Sequence, residues 1–264
     1  NYLQSTLSLR VAQANLTEVK RQALESGVLA LATFIRDQLK QSPVETFPSL
    51  PAYPDVEALF DGEELLERFL DPFDAEDPES VIVLCGSNRI AGEFNQAVRQ
   101  ELHYDAGPLA VGDRVMVVRN HYFRSGSVTK FVANGELGRI IRILSYDPVS
   151  LFEEQWQQVE IEFTDEAGEA FSLTRWVPLD LLYSKSPQLP REIEQQVDAL
   201  IDSHETQTLA PEGDWLDSYL QLKMGYAITA HKAQGGQWRQ VILLFEPYLF
   251  EPRTEAGEAP DFTE

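Results

Sequence analysis

Val81-Ile82-Val83-Leu84-Cys85 is an unbroken apolar run rich in β-branched residues, and it ends on the small polar turn Gly86-Ser87-Asn88. A run of this kind reads as a strand buried on both faces. From Ile90 to Leu102, the apolar residues Ala91, Phe94, Ala97, Val98 and Leu102 then fall on one helical face. Strand, small polar turn and helix make one unit of a parallel α/β sheet. A second apolar run, Val241 to Phe245, predicts another buried strand far downstream.

Between these runs the texture changes. After Gly107-Pro108, strands are expected over 113–119, 137–144, 159–163 and 171–177, with turns at Asn134-Gly135 and across 165–168. Short strands at this spacing suggest a small β-barrel. A helix is expected over 191–203, followed by a polar stretch to Asp214. Upstream, residues 16–19 are an extended candidate. Leu24, Val28, Leu31, Ile35 and Leu39 predict a helix over 22–40, stopped by Ser42-Pro43. The proline-rich stretch 43–54 reads as linker, and 55–70 carries helical apolar spacing on an acidic background. The expected division is 1–107, 108–212 and 213–264, with the middle segment an insertion.

The net charge of −22 opposes nucleic-acid binding, because phosphate contacts need cations. The charge is uneven, however. Residues 106–145 hold Arg114, Arg119, Arg124, Lys130, Arg139 and Arg142 against Asp113 and Glu136. That stretch reads either as a solvated barrel surface or as a local basic footprint. The single cysteine, Cys85, excludes an internal disulfide and fits a reducing cytoplasm. No run of eighteen apolar residues occurs, so no membrane-spanning helix is expected. His103, His121 and His204 have no ligand-like spacing, so no metal site is expected.

The densest chemistry lies in Gly225-Tyr-Ala-Ile-Thr-Ala-His-Lys-Ala-Gln-Gly-Gly-Gln-Trp238. It gathers a hydroxyl, an imidazole, an ammonium and an amide, followed by two glycines that let a backbone approach closely. These groups suit phosphate and sugar contacts, although Gly235-Gly236 could equally do no more than end a helix.

This segment resembles the motif V of RecD-like and Dda-like superfamily 1 DNA helicases: a Thr, then His-Lys-x-Gln-Gly, an acidic residue and an aromatic. The resemblance implies that Thr229, His231 and Lys232 face single-stranded DNA, and that Gln234, Gly235, Gly236 and Gln237 line the nucleotide side. One departure is Gln237, where the family usually carries the acid that meets the ribose; an amide can also bond a hydroxyl. Leu16-Thr-Glu-Val-Lys-Arg-Gln22 is similar to the family's segment whose Arg reaches the γ-phosphate. This implies a catalytic role for Arg21, a permanently charged fork, and a nucleotide-side position for Gln22. Residues 81–99 resemble the family's strand followed by an Asn-x-x-Ala-x-x-x-Asn helix, so Ser87, Asn88 and Arg89 are expected to meet DNA; Asn88 can also serve as the helix N-cap. Gly112-Asp-Arg-Val-Met-Val-Val-Arg-Asn120 and Asn134-Gly-Glu-Leu-Gly138 look like the inserted SH3-like domain, which in relatives helps guide DNA. Tyr122 and Phe123 are candidate base-stacking platforms or hairpin packing.

Together these matches imply an α/β fold: the second RecA-like motor domain of the P-loop NTPase superfamily, with an inserted SH3-like β-barrel. No Gly-Lys pair occurs anywhere, so no phosphate-cradling loop is present. The resemblance therefore implies that the front motor domain and the last arginine motif belong to further polypeptide, and that ATP and Mg²⁺ bind the full-length protein rather than this stretch alone. The competing expectation is a non-catalytic protein- or nucleic-acid-binding module with a helicase-derived fold.

Overall fold

A computed structural model of the protein describes residues 26–41, 53–58, 62–104, 106–125, 128–144, 148–165, 167–202 and 219–244. These fall into two separately packed units, 26–58 and 62–244. The expected extended segment at 16–19, with Arg21 and Gln22, lies outside the described residues.

In the first unit, helix α1 spans Gly27–Gln41. Its first turn leaves N–H groups without intrahelical partners. The Asp55 carboxylate accepts from Gly27 N at 2.9 Å and from Ser26 Oγ at 3.2 Å. An anion is favoured there by the positive end of the helix dipole. Asp55 is thus a cap for α1 rather than the start of its own helix. The expected helix over 55–70 is replaced by a turn closed by Tyr53 and Val56 and, in the second unit, by the shorter helix α2, Gly62–Leu70.

The second unit is built on strand β1, Val81–Cys85, and helix α3, Asn88–Glu101. The antiparallel elements follow: β2 Arg114–Val117, β3 His121–Ser125, β4 Val128–Val132, β5 Leu137–Ile143, β6 Val149–Leu151, β7 Glu154–Thr164 and β8 Ala170–Pro178. Helices α4 Leu179–Tyr183 and α5 Arg191–Asp202 lead to strands β9 Leu222–Met224, β10 Ala227–Thr229 and β11 Gln240–Leu243.

β1 is the centre of a three-stranded sheet in the order β10-β1-β11, parallel to both neighbours. Val81 and Val83 pack into one apolar cluster and Ile82 into another on the opposite face, so none has exposed surface, which explains the unbroken apolar run. β11 differs from its expected burial. Val241 and Leu243 are each 48% exposed while Ile242 is buried, the alternation of a strand with only one face covered.

The crossover from β1 to β10 is interrupted by the antiparallel sheet, ordered β6-β7-β5-β2-β9 with β8 on β7. β9 pairs with β2 although it lies more than a hundred residues later, with Val115 opposite Met224. The chain therefore leaves the antiparallel sheet at Met224 and joins the parallel sheet at Ala227. One apolar core serves both sheets: Val81, Val83, Phe94 and Val98 belong to the same cluster as Val115, Ile140, Val159 and Ile161. Among the described residues, no helix is long and apolar enough to cross a membrane.

Candidate nucleic-acid interface

The carboxyl ends of β1 and β10 lie side by side, with Cys85 opposite Thr229. Ala230 N donates to Cys85 O at 3.0 Å, so both chains leave the sheet together. This end of a parallel sheet is where such folds gather ligand contacts. Ser87-Asn88-Arg89 follows β1 and Thr229-Ala230-His231-Lys232 follows β10, so two groups far apart in sequence share one edge.

Ser87, not Asn88, caps α3. Its backbone is extended and its Oγ accepts from Ile90 N at 3.3 Å, while Asn88 is already the first helical residue. The hydroxyl fits because an N-cap must reach N–H groups two or three residues on. Asn88 is left half-buried on the first turn, and Arg89 is exposed and paired with Glu93 at 2.8 Å.

After Thr229 the chain makes successive tight turns, with Lys232 N on Thr229 O at 2.9 Å and Gly236 N on Ala233 O at 3.0 Å. Thr229 and Lys232 are half-buried; His231, Gln234, Gly235, Gly236 and Gln237 are exposed. The two glycines have separate reasons. Gly235 has φ +95°, a left-handed conformation that costs other residues energy. A Cβ on Gly236 would stand 2.1 Å from the Trp238 ring. Neither glycine ends an α-helix, since none precedes them. Lys232 Nζ donates to Asn134 Oδ1 of the Asn134-Gly135 turn, which joins this loop to the inserted sheet. Burial lowers the Lys232 pKa from its ordinary value.

Behind this edge lie struts that sequence reading did not single out for function. Asn95, on α3, accepts from Ala227 N at 2.6 Å and donates to Ala227 O at 3.2 Å and Met224 O at 3.3 Å. It clamps the chain where it passes from β9 to β10. Asn95 is the last residue of the Asn-x-x-Ala-x-x-x-Asn pattern, so the pattern was visible but its purpose was not. Asp113 is fully buried and accepts from Arg99 Nε at 2.9 Å, Ala110 N at 2.7 Å and Tyr226 Oη at 2.8 Å. Burial pushes the Asp113 carboxyl above its ordinary value against the pull of Arg99, and burial beside Asp113 pushes the Tyr226 phenol up as well.

Four of the cations in 106–145, Arg114, Arg119, Arg139 and Arg142, are engaged within the protein. Arg114 is buried and donates to Val81 O, Asp74 O, Asp77 O and Ser80 Oγ, organising the acidic loop before β1; burial lowers its pKa to about 10. Arg119 pairs with Glu194 at 2.8 Å, Arg139 with Glu162 at 2.8 Å and Arg142 with Glu160 at 3.3 Å. Carboxylates from later strands and helices thus neutralise charges that look unopposed in sequence. Phe123 stacks on Phe171, and Arg175 lies over its ring, so this ring is packing within the module. Tyr122 is 65% exposed beside Phe131.

Among the described residues, no group of three His, Cys, Asp or Glu side chains converges to hold a metal ion. No protein-family model matches the chain, and no curated protein matches it.

Proposed function

We propose that the chain is part of the second, RecA-like motor domain of a RecD-like superfamily 1 DNA helicase, acting in the cytoplasm. In this reading, 1–107 and 213–264 form the motor half and 108–212 the inserted SH3-like module. The observation that carries it is the meeting of Ser87-Asn88-Arg89 with Thr229-Ala230-His231-Lys232 at the carboxyl ends of β1 and β10. Two motifs read as DNA-facing from separate parts of the sequence share one sheet edge.

Single-stranded DNA runs across this edge. The Asn88 amide and Thr229 hydroxyl bond phosphate or sugar oxygens, while His231 and Lys232 supply N–H donors. The exposed loop Gln234-Gly235-Gly236-Gln237 forms one wall of a nucleotide site whose other wall belongs to the front motor domain. The amides fit ribose and base contacts. No phosphate cradle is present in the sequence, so the phosphate-binding loop comes from that partner domain. ATP with Mg²⁺ supplies the phosphoryl group whose transfer to water drives the motor. By the resemblance, Arg21 would neutralise charge on the transferring phosphoryl oxygens, and Gln22, next in sequence, would take the nucleotide side.

The test is ATP turnover by the full-length protein with and without single-stranded DNA. DNA-stimulated turnover is expected. Arg21→Ala should lower it by roughly a thousandfold while leaving DNA binding intact. A wild-type protein inert under both conditions overturns the motor reading and leaves a non-catalytic binding module. Unchanged turnover in Arg21→Ala removes Arg21 from the site.

A further inference from the structure

Beside the proposed DNA edge, a cleft of about 190 Å³ opens between the first turns of α3, the Ser184-Lys185 segment after α4, and strands β9 and β10. Its lining includes Asn88, Arg89, Lys185, Lys223 and Thr229, with Glu93 the one carboxylate. Glu93 is already paired with Arg89 at 2.8 Å. The cleft therefore carries an excess of positive charge on a chain of net charge −22. Its volume is below the roughly 300 Å³ at which small-molecule sites begin.

Lys223 is its unusual member. Leu222 and Met224 are buried in the core, and strand alternation turns Lys223 to the opposite face of β9. There it is half-buried, and its Nζ donates to Ser184 O. An ammonium has three donors, and one carbonyl occupies one of them. Among the described residues, no carboxylate lies within ion-pair distance of Lys223. The charge that acts on it is that of Lys232, and burial with this repulsion brings its pKa down to about 8. A cation withdrawn from water without a counter-charge is costly.

We propose that Lys223 and Lys185 form a phosphodiester-binding subsite that holds the backbone of a single nucleic-acid strand next to the Asn88 and Thr229 contacts. This rests on the strand-binding reading above. It adds a contact outside the motifs that suggested that reading. A phosphate in the cleft supplies the missing counter-charge, and the sequence on either side of it is not read.

The experiment is a salt titration of full-length protein with fluorescein-labelled oligodeoxythymidylate and, in a parallel arm, oligouridylate. Wild type, Lys223→Gln, Lys223→Arg and Lys185→Gln are compared, with thermal melting as the folding control. Lys223→Gln is expected to weaken binding about fivefold at low salt and to reduce the log–log salt slope by about 0.7, the value for one lost single-strand phosphate contact. Lys223→Arg keeps most of the affinity. Lys185→Gln, at an exposed position, shows a smaller loss and guards against a folding artefact at Lys223. Loss in the deoxythymidylate arm alone assigns the subsite to DNA; loss in both assigns it to the phosphodiester chain of either. Unchanged affinity and slope in both glutamine variants overturn the subsite and leave Lys223 as a structural tie to Ser184. Failure of the wild type to bind either strand overturns the parent reading instead.

Discussion

Arg99 on α3 donates from Nε to Oδ1 of Asp113 at 2.9 Å, with both side chains out of solvent. The same guanidinium donates to Gly107 O at 3.0 Å and also to Tyr183 Oη and Tyr104 O, and Asp113 also holds Tyr226. One ion pair thus joins the helix behind the proposed DNA edge, the start of the inserted sheet and the crossover into β10. Removing one partner strands a buried charge. Arg99→Leu should destabilise the protein by about 3–5 kcal/mol in urea unfolding. Arg99→Leu with Asp113→Leu should recover much of that loss, because neither charge is then left alone. A single-variant loss below about 1 kcal/mol would show that the pair does not tie these elements together.

Asn95 makes a second, more local prediction. Asn95→Ala leaves Ala227 N–H and the carbonyls of Met224 and Ala227 without their side-chain partner. A cost of about 2–3 kcal/mol is expected from the groups left unsatisfied. Asn95→Asp should not restore it, since a carboxylate accepts from the N–H but cannot donate to the carbonyls. Hydrogen exchange at Ala227 gives the direct reading. Protection should fall in Asn95→Ala, and unchanged protection would mean that the β-ladder alone holds the crossover.

His121 predicts a dependence on pH. Its Nε2 accepts from Arg175 Nε at 2.8 Å, and burial together with the Arg175 charge lowers its pKa from 6.5 to about 4. Between these values the unfolded chain takes up a proton that the folded chain refuses. Stability from this group is therefore present above pH 6.5 and is lost as pH falls toward 4. The loss should be on the order of 2 kcal/mol across the window. His121→Gln keeps an acceptor for Arg175 without the titration, so its melting temperature should fall less steeply over the same range. Parallel pH profiles for the two proteins would remove His121 as the cause.

Local pattern was enough for the elements whose cause is local. The run 81–85 announced a strand covered on both faces, the spacing from Ala91 to Val98 announced a helix, and Asn134-Gly135 and 165–168 announced turns. Gly135 and Gly168 indeed have positive φ, and Asp165 Oδ1 accepts from Ala167 N and Glu169 N. The residues now found at the shared sheet edge were singled out through the resemblance of two separate motifs, and the pairing of β1 with β10 is what brings those motifs together.

What stayed hidden depended on partners remote in the chain. The cations of 106–145 looked like an excess because Glu160, Glu162 and Glu194, which neutralise three of them, come later. Val241 and Leu243 read as buried because a strand's composition does not say whether one face or both will be covered. Lys223 carried no signal, since its meaning depends on which charges the fold brings near it and which it leaves away. Side-chain periodicity is set by bond geometry between neighbours, so a linear sequence records it. Charge compensation and burial are set by distances across the core, and those exist only once β9 has paired with β2 and Asn95 has turned the chain toward β10.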